Sequence, residues 1–199
     1  TEEASGQFGT SFGADKYREV YGHATETFDG HGFMAFGSQE SYGGYHVADD
    51  RAYADFGNTY GNKEIGYDRS TGGVKYRKAF DLAGTSVLSA QYRRHTGFFD
   101  YPNPHQREAK FDWNQDVTSL TWDHDVNTNF SYNLTTYYHR WWAELTQQQI
   151  SGAYSYNHEP VECDDFGMNL KTSTQWGEGH EIVSGLDYRN YWGSFEWFY

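Results

Sequence analysis

The chain has 199 residues and a formal net charge of −13, with 37% hydrophobic and 20% aromatic residues. That aromatic load is too rich for a disordered chain, the acidity leaves no basic stripe for nucleic-acid phosphates, and no stretch approaches the roughly 18 consecutive apolar residues of a membrane helix. The 18 Tyr, 14 Phe and 7 Trp carry much of the apolar area and 22 Gly stand against 3 Pro, a usage that suits pleated strands joined by tight turns.

Alternation of apolar and polar residues with a period of two places the strands. The first two are expected at 7–14 and 18–28, with a short connection near 14–17. A third follows at 32–42, after the tight Asp29-Gly30-His31-Gly32, and a fourth at 72–80, before the turn Asp81-Leu82-Ala83-Gly84. Leu88, Ala90 and Tyr92 then oppose Ser89, Gln91 and Arg93, and Thr118, Leu120 and Trp122 oppose Ser119, Thr121 and Asp123. Beyond Asn127-Thr128-Asn129, the residues Phe130, Tyr132, Leu134, Thr136 and Tyr138 separate from Ser131, Asn133, Thr135, Tyr137 and His139. The clearest strand sets Phe166, Met168, Leu170, Thr172, Thr174 and Trp176 against Gly167, Asn169, Lys171, Ser173 and Gln175. After Gly177-Glu178-Gly179-His180 a last strand is expected at 181–199.

The fold class is therefore all-β and antiparallel, with about nine strands. A soluble sandwich gives the same alternation, but the connections carry further information. Short turns alternate with long, irregular stretches at about 43–71, 97–111 and 143–163, as short periplasmic turns and long extracellular loops do in a transmembrane β-barrel. Phe28, Phe33, Phe80, Phe130 and Trp176 flank the short turns, and Tyr92, Tyr137, Tyr138, Trp141 and Trp142 lie toward the long connections, as two interfacial girdles would. The expected location is the bacterial outer membrane, with lipid and lipopolysaccharide as surroundings. Barrels of this kind close with an even number of strands, so nine implies an incomplete, open wall, although Tyr191, Gly193, Phe195, Trp197 and Tyr199 look like a terminal barrel strand. Thr1-Glu2-Glu3-Ala4 is not a signal peptide, and the single Cys163 forms no internal disulfide.

Gly73-Val74-Lys75-Tyr76-Arg77 and Ser86-Val87-Leu88-Ser89-Ala90-Gln91-Tyr92-Arg93-Arg94 resemble the fourth and fifth barrel strands of TonB-dependent outer-membrane transporters. Gly97-Phe98-Phe99-Asp100-Tyr101-Pro102 and Phe111-Asp112-Trp113-Asn114-Gln115-Asp116 resemble that family's third extracellular loop. Gly185-Leu186-Asp187-Tyr188-Arg189, after His180-Glu181-Ile182-Val183, resembles one of its ascending strands. The resemblance implies that residues 1–199 are the N-terminal portion of a 22-stranded barrel, without the plug domain, the segment that binds TonB, or the later strands. It further implies a parent protein that takes up ferric siderophores or a similar scarce nutrient complex, with TonB and a ferric chelate as partners.

The same resemblance makes Tyr101, His105 and Arg107 in the third loop, and Trp141, Trp142, Tyr154 and Tyr156 around the fourth, the candidates for substrate capture. Arginine and aromatic rings suit an anionic, partly aromatic chelate; equally, Trp141 and Trp142 could belong to a girdle and the tyrosines could simply pack their loops. Lys75, Arg77, Arg93, Lys171 and Arg189, with Gln91, Asn169 and Asp187, fall on one face by alternation, expected to line the lumen, since Lys or Arg facing lipid near the midplane costs about 2–4 kcal/mol. No enzymatic motif is present, so neither catalysis nor a cofactor is expected. Alternation separates His124 from Asp123 and Asp125, and the acidic Glu162, Asp164 and Asp165 read as a solvated loop more readily than as a calcium site. Two other functions remain open: a complete small barrel serving as adhesin or structural protein, in which the first and last strands pair, and a soluble carbohydrate-binding domain, in which a second sheet covers Leu88, Leu120, Leu134 and Leu170.

Overall fold

The computed structural model describes residues 3–46, 64–81, 83, 85–100, 106–149, 156–177 and 179–195, with backbone alone at a few strand tips. The strands are β1 (Glu3–Phe12), β2 (Arg18–Phe28), β3 (His31–His46), β4 (Glu64–Ala79), β5 (Ser86–Asp100), β6 (Gln106–Asn127), β7 (Phe130–Gln149), β8 (Tyr156–Trp176) and β9 (His180–Phe195). They form one antiparallel sheet in sequential order, β1 to β9. The sheet is open, because β1 pairs only with β2 and β9 only with β8 among the described residues.

The turns at one end follow from local chemistry. Phe28 pairs with His31, and Asp29 and Gly30 take positive φ of 46° and 72°, the two-residue hairpin that matches strand twist. Between β4 and β5, the Asp81 carboxylate accepts hydrogen bonds from Thr85 N (2.9 Å), Thr85 Oγ1 (2.7 Å) and Ser86 N (3.1 Å). Gly177 and Gly179 supply the positive φ needed between β8 and β9.

At the other end the sequence-based expectation needs correction. Where they are described, the stretches 43–71, 97–111 and 143–163 are strand rather than irregular loop. β3 runs to His46, β4 starts at Glu64, β5 reaches Asp100, β6 starts at Gln106, β7 reaches Gln149 and β8 starts at Tyr156. Gly97–Asp100 and Phe111–Asp116, which resemble loop sequence, are paired strand; so are Asp164 and Asp165, which belong to no acidic loop. The first strand is shifted, since β1 ends at Phe12 and residues 13 and 14 belong to the connection. There, Gly13 N donates to Tyr17 O and Tyr17 N to Ala14 O.

Cross-strand register assigns every side chain to a face. Leu88 pairs with Trp122, Trp122 with Leu134, Leu134 with Leu170 and Leu170 with Leu186, which defines a leucine face. Nothing else among the described residues covers it: Leu186 is 62% exposed and Phe8 72%. The buried side chains Val87, Ala143 and Asp165 all lie on the opposite face. On that face three aromatic rings lie over glycines in directly paired positions, Tyr21 on Gly9, Phe36 on Gly73 and Tyr137 on Gly167. Such pairs let rings lie flat against a coiling sheet.

Candidate functional site

On the lower part of the sheet, next to the short turns, the leucine face is apolar and bordered by aromatic rings. Phe28 stacks on Phe33 at 5.8 Å, Phe33 meets Tyr76 at 5.0 Å, and Trp122 meets Tyr132 at 5.6 Å. Higher up come Tyr92, Tyr138, Phe166 and Tyr188. On β7 this face carries no charge from Phe130 until Arg140, and on β4 none between Lys78 and Asp68. That length matches the roughly 9–11 tilted residues with which a strand crosses a bilayer.

A charged row ends the apolar band. Arg94 pairs with Asp116, Asp116 with Arg140 and Arg140 with Asp164, all on the leucine face. Tyr92 Oη donates to Asp116 Oδ1 at 2.5 Å, and Tyr138 Oη donates to Asp164. These two rings thus hand their hydroxyls to the belt above them, apolar body on one side and polar tip on the other.

Above the belt the polarity of the two faces is exchanged. The leucine face now carries Asp112, Glu144 and Glu162, whereas the opposite face carries rows of rings and apolar side chains. Tyr67, Phe99, Phe111 and Leu145 form one row, and Arg69, Gly97, Trp113, Ala143 and Val161 the next. Thr71, His95, Gln115, Trp141 and Cys163 form a third, and just below the belt, on the same face, lies the polar row Gly73, Arg93, Val117, His139 and Asp165. Phe99 and Phe111 approach to 5.0 Å, and His95 and Trp113 to 6.5 Å.

Polar groups are threaded through this aromatic wall. Tyr67 Oη donates to Glu40 Oε1 and Arg69 Nε to Glu40 Oε2, each at 2.5 Å, while the Arg69 guanidinium stands 5.7 Å from the Tyr67 ring centre. Partial burial pushes the Glu40 carboxyl up, but the hydrogen bonds from Tyr67 and Arg69 and the Arg69 charge outweigh it and hold the group below the usual range. The bond to Glu40, with burial, pushes the Tyr67 hydroxyl up to about 12. Burial and the charges of Arg93 and Arg69 lower His95, whose Nδ1 lies 2.8 Å from Thr71 Oγ1. At the foot of the wall Arg189 makes a forked contact with Asp165, Nε to Oδ2 at 3.0 Å and Nη2 to Oδ2 at 2.5 Å. Arg93 Nε is buried without a partner among the described residues.

The candidates read from sequence divide. Tyr101, His105 and Tyr154 lie outside the described residues; Arg107 and Tyr156 fall in β6 and β8, where only the backbone is described. Trp141 and Trp142 cannot act together, because consecutive strand residues point to opposite faces. Trp141 joins the aromatic wall between Gln115 and Cys163, whereas Trp142 sits between Asn114 and Glu162 on the leucine face. Lys75, Arg77, Arg93, Lys171 and Arg189 share the face opposite the leucines. Sequence reasoning passed over Tyr67, Phe99, Phe111 and Trp113; the signal was present in Phe111 and Trp113, odd-numbered apolar positions on a strand whose lower half is apolar at even ones.

Rings spaced along neighbouring strands, with Arg69 and Arg93 among them, offer stacking faces and charged hydrogen-bond donors, groups that can act on a flat or aromatic anion. Among the described residues no three His, Cys, Asp or Glu side chains converge as metal ligands would. No family model, curated protein or solved structure matches the chain.

Proposed function

We propose that this sheet is part of the barrel wall of a TonB-dependent outer-membrane transporter that takes up ferric siderophores or a similar scarce nutrient complex. The observation that carries the reading is the exchange of polarity at the Arg94, Asp116, Arg140, Asp164 row. Below it the leucine face needs an apolar surrounding, and no other part of the described chain supplies one. Above it the same face is charged and the aromatic rows turn to the other side, as they would where strands rise from lipid into water and enclose a vestibule. In this reading the vestibule captures an anionic chelate by stacking on Trp113 and Trp141 and by pairing with Arg69 and Arg93, and passage inward depends on TonB and on parts of the transporter beyond this sheet.

Uptake of labelled ferric chelates by iron-starved cells, with the full-length protein in its membrane, tests this. Trp141→Ala is expected to weaken capture about tenfold, the scale of one lost stacking or cation–π contact together with its buried area, and Trp142→Ala to leave it unchanged. Uptake that ignores TonB, or equal loss in the two variants, contradicts the proposal.

A further inference from the structure

The leucine face is not uniformly raised. Across β1 to β5 it sinks into a depression of about 940 Å³, floored by Ala24, Ala35, Val74 and Ala90, with Phe33 and Tyr76 at its lower lip. One row below that lip, at the level of the short turns, His31 and Lys78 are direct cross-strand partners. Lys78 Nζ donates to His31 Nε2 at 2.7 Å and to the Asp29 carbonyl at 3.1 Å. With Nε2 accepting, the neutral ring carries its proton on Nδ1 and donates to Tyr76 Oη at 2.9 Å. An ammonium has three donors, so one remains. The stem of Lys78 runs to the Asp29-Gly30 turn, where Nζ lies 3.8 Å from the position a Cβ would take on Gly30, as a snorkelling lysine reaches the polar edge of an apolar layer.

Lys78 is the one Lys or Arg on the leucine face at this end of the sheet among the described residues. Glu26 lines the same depression, one row above and two strands across, through Glu26 opposite Phe33 and Phe33 opposite Tyr76. Its carboxylate has no hydrogen bond or ion pair among the described residues. An unpaired carboxylate on an apolar face is costly, and a fixed ammonium with a free donor is anion-seeking. The two charges of opposite sign stand at one mouth of an apolar trough.

We propose that this trough is the seat of one phospholipid with a zwitterionic, amine-bearing headgroup. The phosphate takes the free Lys78 donor, the headgroup ammonium pairs with Glu26, and an acyl chain lies along Ala24, Ala35, Val74 and Ala90. The proposal rests on the membrane reading above and adds to it a lipid held by chemistry rather than by bulk solvation.

Native mass spectrometry of the full-length protein, released from micelles containing equal phosphatidylethanolamine, phosphatidylglycerol and diacylglycerol, reads the site directly. The expected result is one retained phosphatidylethanolamine. Lys78→Gln should cut retention of both phospholipids about tenfold, the scale of one charge-assisted hydrogen bond, and Lys78→Arg should restore it. Glu26→Gln should abolish the preference for phosphatidylethanolamine over phosphatidylglycerol, and Ala35→Leu, which fills the floor, should expel all three lipids. Flotation with vesicles shows that each variant is membrane-inserted. Wild type that floats but retains lipids indiscriminately, or Lys78→Gln that floats and still retains phospholipid, overturns the lipid seat alone. Wild type that does not float overturns the membrane reading and the seat with it.

Discussion

The lower and upper halves of the long strands obey opposite rules. Near the short turns of β7, Tyr132, Leu134 and Thr136 present the apolar side and Asn133 and Thr135 the polar one; near its far end Arg140 and Glu144 stand on the leucine face, while Trp141, Ala143 and Leu145 line the other. A single strand cannot satisfy both rules in a uniform surrounding. Because side-chain direction alternates strictly, the difference lies in what each face meets along the strand; on the proposed reading, the sheet crosses from lipid into water at the Arg94 to Asp164 row.

The largest expected effect comes from breaking the lower rule. Leu134→Arg puts a cation in the middle of the apolar band and is expected to cost about 2–4 kcal/mol in urea titrations of the protein in phospholipid vesicles. Thr96→Arg, on the same face above the belt, should change stability by less than about 0.5 kcal/mol. A smaller effect is expected where the opposite face is tightly fitted. A Cβ on Gly167 would meet the Tyr137 ring at 2.2 Å, so Gly167→Val must lift that ring, at about 1–3 kcal/mol by the same titration.

The smallest effect sharpens the upper rule through pH. The Tyr67 hydroxyl is raised from 10.0 to about 12, so the fold favours its neutral form. That contribution is complete below pH 10 and is lost as the pH rises through about 12. The lowered Glu40 carboxyl acts in the other direction, contributing above the usual carboxylate range and failing as the pH falls through its depressed value. Tyr67→Phe should remove the alkaline loss and, by taking away one of the hydrogen bonds that hold Glu40 low, weaken the acid one, whereas Arg69→Gln should weaken the acid one and leave the alkaline loss in place, as followed by Trp fluorescence of the upper wall.

Nine strands and their sequential turns were legible because Leu88, Leu120, Leu134 and Leu170 each sit at the centre of a clean alternation. The upper halves were not, and the reason is physical. In β6 the apolar residues shift from Trp122 and Leu120 to Trp113 and Phe111, which breaks a period-two pattern read against one buried face and makes strand look like irregular loop. Pairing such as Phe99 with Phe111, and Tyr67 with Phe99, restores the pattern in three dimensions. The charged belt was equally hidden, since Arg94, Asp116, Arg140 and Asp164 are far apart in sequence and meet only through register. The trough at Lys78 needed both register and side-chain placement, because His31 and Tyr76 carry no motif.

Nitroxide scanning along β7 from Phe130 to Leu145, in the protein reconstituted into phospholipid bilayers, tests the exchange of polarity most directly. The expected record is lipid contact at positions 132, 134, 136 and 138, ending at Arg140, with positions 142 and 144 in water on the same face. Contact with water at Leu134, or lipid contact continuing in the same phase through Glu144, would contradict the boundary.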